Sequence, residues 1–180
     1  MEQLAADNSF LTMELATLLS KAETSSFYRR LLNSLLWIKI PFNHPHRLVT
    51  TAINPRTITI TAPYIRKNKN HLNGIHACCL ATLCEYVCGL GLIRTLDAKH
   101  YRLIMKELQI TYHYQAKMAV SASFTLPEQE GNTIREMLTT NDAVLREYTI
   151  DVTDKDGNQI CTAKVLWQIK PWTKTKTSLN

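Results

Sequence analysis

The sequence predicts an α+β domain: a curled antiparallel β-sheet wrapped around one long buried helix, with an extra helical segment at the N-terminus. Three observations predict it. The run from Ile75 to Ile93, IHACCLATLCEYVCGLGLI, carries no formal charge besides Glu85 when His76 is neutral, and a helix apolar all round needs cover on every face. Two segments before it and four after it show the period-two alternation of strands with one buried face. An antiparallel sheet that twists and curls is the layer able to enclose such a helix.

Each element follows in chain order. Residues 8–22 place Phe10, Met13, Ala16 and Leu19 at helical spacing, and a second helix, capped by Ser25 or Ser26, runs to about residue 38. Pro41 and Pro45 end that pattern. A strand pair follows, Leu48–Ile53 and Arg56–Ala62, turned at Asn54-Pro55, and the TITIT of the second strand puts Ile58 and Ile60 on the inner face. After the central helix, Arg102–Tyr114 alternates with Leu108, Ile110, Tyr112 and Tyr114 on one face, and Ala119–Leu126 with Val120, Ala122, Phe124 and Leu126. The polar stretch Pro127–Thr140 has room for a helical turn or more. Val144–Thr153 and Gln159–Lys170 close the sheet, joined by DKDGN, whose Asp156-Gly157 suits a hairpin turn.

Composition bounds the function. A chain of 180 residues with 45% hydrophobic content builds one sizeable core. The expected organisation is a helical segment over residues 1–39, one domain over 40–170, and a basic tail over 171–180. About eighteen apolar residues can cross a bilayer, yet Gly89, Gly91, the central acid and the β-structure that follows argue for a core helix, so no membrane span is expected. The first ten residues, MEQLAADNSF, hold acids and no basic stretch, and no secretory leader is expected. The net charge of +6 is dispersed, with small clusters at Arg66-Lys67-Lys69 and at Lys170, Lys174 and Lys176. A nucleic-acid partner calls for denser basic runs with interleaved aromatics and is not expected. Four of the five cysteines fall on the central helix and none forms a CxxC pair, which points to small core thiols and a cytoplasmic location. His44 and His46 lack a third ligand at suitable spacing, so no metal is expected. Ser121 and Ser123 lack the strand-to-helix turn of a serine nucleophile.

Glu85 is the residue that calls for chemistry. A lone carboxylate among apolar neighbours is paired, protonated or employed. Arg94, Arg102 or a hydroxyl are candidate partners. With a raised pKa it is a competent base near neutral pH. The helix start at Ile75-His76-Ala77 offers free N–H groups suited to a developing oxyanion.

The spacing Asn70-x-x-x-Gly74-x-His76-Ala77, with Glu85 nine residues beyond the histidine, resembles the Asn…Gly-x-x-His-Gly-Gly…Asp/Glu signature of hotdog-fold thioesterases of the phenylacetate-pathway and 4-hydroxybenzoyl-CoA types. It is also similar to a poorly characterised branch of that superfamily in which NHLG-x-x-HAG precedes the helix. The sequence departs from the signature in having His76-Ala77-Cys78 for His-Gly-Gly and an extra residue, Asn73. The resemblance implies a hotdog fold and an acyl-CoA or other acyl thioester as substrate, with no cofactor beyond the CoA that the substrate carries. It implies Glu85 as base or nucleophile, the Ala77 N–H as the group polarising the carbonyl, and Asn70 as the amide beside them. Gly74 and His76 fall at substrate-binding positions of that motif; His76 also reads as a helix-start residue bonded to backbone. Arg66 and Lys67 precede the helix and are candidates for CoA phosphates, or simply solvated.

Ala77 and Glu85 are eight residues apart, about 12 Å along one helix, so they cannot grip one carbonyl. If two copies of the helix pack antiparallel, Glu85 of one chain comes opposite Ala77 and Asn70 of the other. A homodimer, or a tetramer of such dimers, is the expected assembly. A non-catalytic acyl-CoA-binding hotdog module is the alternative from another class.

Overall fold

The computed structural model describes residues 15–175. The expected helix over 8–22 lies partly outside them; its described part, α1, spans residues 15–24. Helix α2, Ser26–Lys39, starts where expected, with the Ser25 hydroxyl accepting from the Tyr28 N–H at 3.5 Å. Leu32, Asn33 and Leu36 face inward. Asn33 is tied to the sheet by a reciprocal pair, accepting from the Thr50 N–H at 2.8 Å and donating to the Thr50 carbonyl at 3.2 Å. The N-terminal helices therefore share the core of the rest of the chain: Leu18, Leu19, Ala22, Leu32 and Leu36 belong to one buried cluster with the sheet.

Six antiparallel strands form one sheet in the order β1-β2-β4-β5-β6-β3. They are β1 Val49–Ile53, β2 Thr57–Ala62, β3 Tyr101–Tyr112, β4 Val120–Thr125, β5 Val144–Asp154 and β6 Gln159–Pro171. In β2, β4, β5 and β6 the inner faces follow the alternation in the sequence: Ile58, Ile60, Val120, Ala122, Phe124, Ile150, Val152, Val165 and Ile169 are all buried. In β3, by contrast, which ends at Tyr112, Leu108 and Ile110 are half-buried and Tyr112, like Tyr114 beyond the strand, is exposed. Gly157 turns the last hairpin with φ of +83°, where a side chain would be strained.

Helix α3, Ala77–Leu96, lies in the hollow of this sheet and touches every strand from β2 to β6. This is the one described helix long and apolar enough to cross a bilayer; here most of it is buried against the sheet, as in the core helix of a globular domain. Gly91 lets it lie close to β4, since a Cβ there would run into the Phe124 ring. The stretch after β4, with room for a helical turn or more, holds an eleven-residue helix, α4, Glu130–Thr140. Its two buried anchors, Ile134 and Leu138, are four residues apart on one face, and Arg135 donates to the Thr95 carbonyl at 2.7 Å. Past β6, Trp172 donates its indole N–H to the Ala98 carbonyl at 2.9 Å.

Candidate functional site

The start of α3 is built by a loop that satisfies its own backbone. The Asn70 carboxamide oxygen accepts from the N–H groups of Leu72 at 2.9 Å and Gly74 at 3.0 Å, an Asx-type turn. The Asn70 N–H reaches the Gly74 carbonyl at 2.8 Å. The extra residue, Asn73, is absorbed in the left-handed region with φ of +57°, and its carbonyl accepts from the Tyr64 hydroxyl. His76 is the N-cap, its Nδ1 accepting from the Cys78 N–H at 3.1 Å. The histidine is thus occupied in holding the helix start.

What the loop leaves free matters for chemistry. Among the described residues no group accepts from the backbone N–H of Ala77 or from the side-chain amide of Asn70. Both residues line a cleft of about 460 Å³ that also takes in Ile75, Leu80, Tyr112 and Gln115. Tyr112 spans the cleft to the helix start, its hydroxyl donating to the Ala77 carbonyl at 3.2 Å.

Asn68, two residues upstream, locks this geometry. It is fully buried, its amide donates to the carbonyls of His46 and Pro63 at 2.9 Å each, and its side-chain oxygen faces His46 Nδ1 at 3.0 Å. Its own carbonyl accepts the His76 N–H at 2.7 Å. Sequence reasoning passed over Asn68 because it sits among Arg66, Lys67 and Lys69 and reads as part of a solvated turn. Gln115 and His113 were passed over as well, since β3 brings them to the cleft from across the sheet. At His113, hydrogen-bond bookkeeping fixes the tautomer. Thr162 donates its single hydroxyl proton to Asp151 at 2.8 Å, so the 3.0 Å contact from His113 Nε2 to that hydroxyl has histidine as the donor. In the neutral ring Nδ1 is then left as an acceptor.

Glu85 stands apart from this cleft. It lies two turns further along α3, half-buried, and has no hydrogen-bond or ion-pair partner among the described residues. Arg94, a candidate partner in the sequence, is committed to Glu23 and the Pro55 carbonyl. Burial therefore acts on Glu85 without compensation and raises its pKa above the ordinary carboxylate value. The buried thiols nearby are poor nucleophiles: burial pushes Cys79 up to about 11 and Cys88 up to about 12. Gly74 is enclosed in the loop, where a Cβ would meet the Gln115 side chain. Arg66 and Lys67 are exposed on a single 3₁₀ turn and do not line the cleft. No three His, Cys, Asp or Glu side chains among the described residues converge as a metal site.

One stripe of α3 escapes the sheet. Cys78 is exposed and Ala81, Thr82 and Glu85 are half-covered, positions that repeat every three to four residues and so share one helix face. The edge strand β3, which packs against α3, runs for twelve residues with one side unpaired and with Ile104 and Met105 39% and 38% exposed.

A curled antiparallel sheet around a central helix, with a cleft where that helix begins, defines the chain as a hotdog-fold domain. More narrowly, it belongs to the family described as a domain of unknown function, DUF4442, whose model matches residues 28–169. Among solved structures, a Pseudomonas aeruginosa protein of unknown function named as a probable thioesterase is similar over 79% of this chain and 95% of its own, with a TM-score of 0.73 and 20% identity. A Haemophilus influenzae thioesterase is similar over 82% of this chain and 93% of its own, at TM-score 0.62 and 13% identity. A Staphylococcus aureus thioesterase is similar over 73% and 99%, at 0.59 and 16%. At these identities the likeness is one of fold. No curated protein matches the sequence.

Proposed function

We propose that the protein is an acyl thioesterase that works as a homodimer, with Glu85 of one protomer acting on a thioester held at Ala77 and Asn70 of its partner. One observation carries this reading: a shielded carboxylate with no partner shares a helix with an unused N–H, and about 12 Å separates them. Antiparallel pairing of two α3 stripes brings each Glu85 to the other chain's cleft. The unpaired edge of β3, next to that stripe, suits the same contact. In the Staphylococcus aureus enzyme the two engineered variants replace a glutamine and a glutamate fifteen residues apart, the spacing between Asn70 and Glu85.

The steps follow from the groups available. The Glu85 carboxylate takes a proton from water as its oxygen attacks the thioester carbonyl carbon. The oxyanion that forms is met by the Ala77 N–H and the Asn70 amide, reinforced by the positive end of α3. Collapse breaks the C–S bond, and the thiolate recovers the proton from Glu85. The products are a carboxylic acid and a free thiol, with CoA the expected carrier. The cleft is lined mainly by apolar and aromatic side chains, which suits an acyl or aryl group.

The test is turnover of a panel of short, long and aryl acyl-CoAs, followed by release of free thiol. Ala77→Pro is the sharper variant, because proline is favoured at the first helical position. His76 already has the extended ψ of 140° that a residue before proline needs. The substitution removes the N–H and keeps the helix. Glu85→Gln and Ala77→Pro are each expected to be inactive, and mixing the two to form heterodimers is expected to restore about a quarter of wild-type activity, one intact site in half the dimers. Failure of the mixture to recover any activity sinks the shared site. Retained acyl-CoA binding with no turnover in the wild type would make the protein a binding module.

A further inference from the structure

Helix α2 has two apolar faces, and only one of them is used. Leu32 and Leu36 are buried. On the opposite side Phe27, Leu31 and Ile38 are 66%, 47% and 72% exposed, and Phe42, just past the helix, is 68% exposed. At 100° per residue the three helical positions fall within about 40° of one another, so they share one narrow face, with exposed Ser34 between Leu31 and Ile38. The described fold leaves that face open to solvent.

Charge decides what fits it. The fourteen residues of α2 hold Arg29, Arg30 and Lys39 and no acid. Arg30 and Lys39 are exposed on the two flanks of that face. Arg47 lies over the Trp37 ring at 4.8 Å and Lys21 over the Tyr28 ring at 5.1 Å, so long cationic side chains run along aromatic surface beside the apolar line. Within the described part of α1 the acid is Glu23, and it is tied to Arg94. A second copy meeting this face across a two-fold axis would set cation against cation.

We infer that this face docks on the surface of an anionic lipid bilayer. Phe27, Leu31, Ile38 and Phe42 would enter the boundary between headgroups and acyl chains, while Arg30, Lys39 and Arg47 meet lipid phosphates, the arrangement of an interfacial amphipathic helix. The helix lies along the membrane plane and α3 stays inside the sheet. Docking of this face does not depend on catalysis at Glu85.

The experiment is co-sedimentation of the full chain with extruded vesicles of phosphatidylcholine alone or mixed with phosphatidylglycerol, at low and high salt. The wild type is expected to bind the anionic vesicles, roughly tenfold more weakly to neutral vesicles or in high salt. The combined variant Phe27→Ser, Leu31→Ser, Ile38→Ser should lose at least about tenfold in binding with its thermal midpoint held, because these side chains leave no cavity. Arg30→Gln with Lys39→Gln and Arg47→Gln should reduce anionic-vesicle binding to the neutral level. Absence of vesicle binding by the wild type, or binding that the triple variant keeps, overturns the assignment. So does a drop in the wild type's assembly state on serine substitution, which would give the face to another copy of the chain.

Discussion

Two partly buried glutamates in this molecule are treated in opposite ways. Glu130, at the first turn of α4, has a side chain only 12% exposed and accepts from Arg146 Nε and Nη2 and from the Tyr148 hydroxyl, each at 2.8 Å. It is a bidentate ion pair with a third donor, and it pins α4 to β5. Glu85, half-buried on α3, has none of these. It has no hydrogen-bond or ion-pair partner among the described residues, and burial raises its pKa. Folding has met the cost of one carboxylate and left the other unmet, which is what makes Glu85 the candidate for a chemical task. The asparagines repeat the contrast: Asn68 spends both amide protons and its oxygen inside the fold, whereas Asn70 spends its oxygen and keeps its amide protons.

The contrast breaks most sharply if the two acids respond alike to one substitution. Glu85→Gln is expected to cut kcat/KM by about a thousandfold while stability holds or rises, since a neutral amide is cheaper to bury. Glu130→Gln should leave turnover per folded protein unchanged and lower unfolding free energy by about 2 kcal/mol, because Arg146 loses its charged partner. Urea titration beside a thiol-release assay separates the two, and equal stability losses would end the distinction. The asparagines sharpen it at intermediate size. Asn68→Ala is expected to cost about 3 kcal/mol by removing both amide donors to the His46 and Pro63 carbonyls and the acceptor facing His46. Asn70→Ala should cost about 1 kcal/mol in stability, with the larger share of its effect on turnover.

Much of this frame was legible in the chain, and the reasons are local. Alternation in TITIT and in Val120–Leu126 names the inner face because strand periodicity needs no partner to be read. The helix around Glu85 is equally plain, since one charge in nineteen residues stands out. α4 was only half-visible because Ile134 and Leu138 are the only large side chains on its buried face, among polar residues. The N-cap role of His76 follows from the residues beside it, but the cleft does not. His113 and Gln115 share the cleft with Ala77 only because the end of β3 passes the start of α3, and the Arg146–Glu130 pair spans sixteen residues. Contacts of that range carry no periodic trace in one sequence, which is why Asn68 and Gln115 emerged from the structure alone.

The smallest effect is the most discriminating, because the two readouts must move in opposite directions. Glu85 has its pKa raised in the folded state relative to the ordinary carboxylate value of about 4.3 in the unfolded chain. Between those two values the folded protein holds a proton that the unfolded chain has released. Stability therefore falls as pH rises through that window, and the loss is complete above the folded pKa. Below the ordinary value wild type and Glu85→Gln should be equally stable; above the window the variant should be the more stable. Catalysis has the opposite sign, since only the carboxylate can accept a proton from water, so kcat/KM should climb across the same window. Urea midpoints and initial rates at matched pH values test the pair. A stability difference between wild type and Glu85→Gln that does not vary with pH would mean Glu85 finds a partner in the dimer, and the carboxylate would then be structural like Glu130.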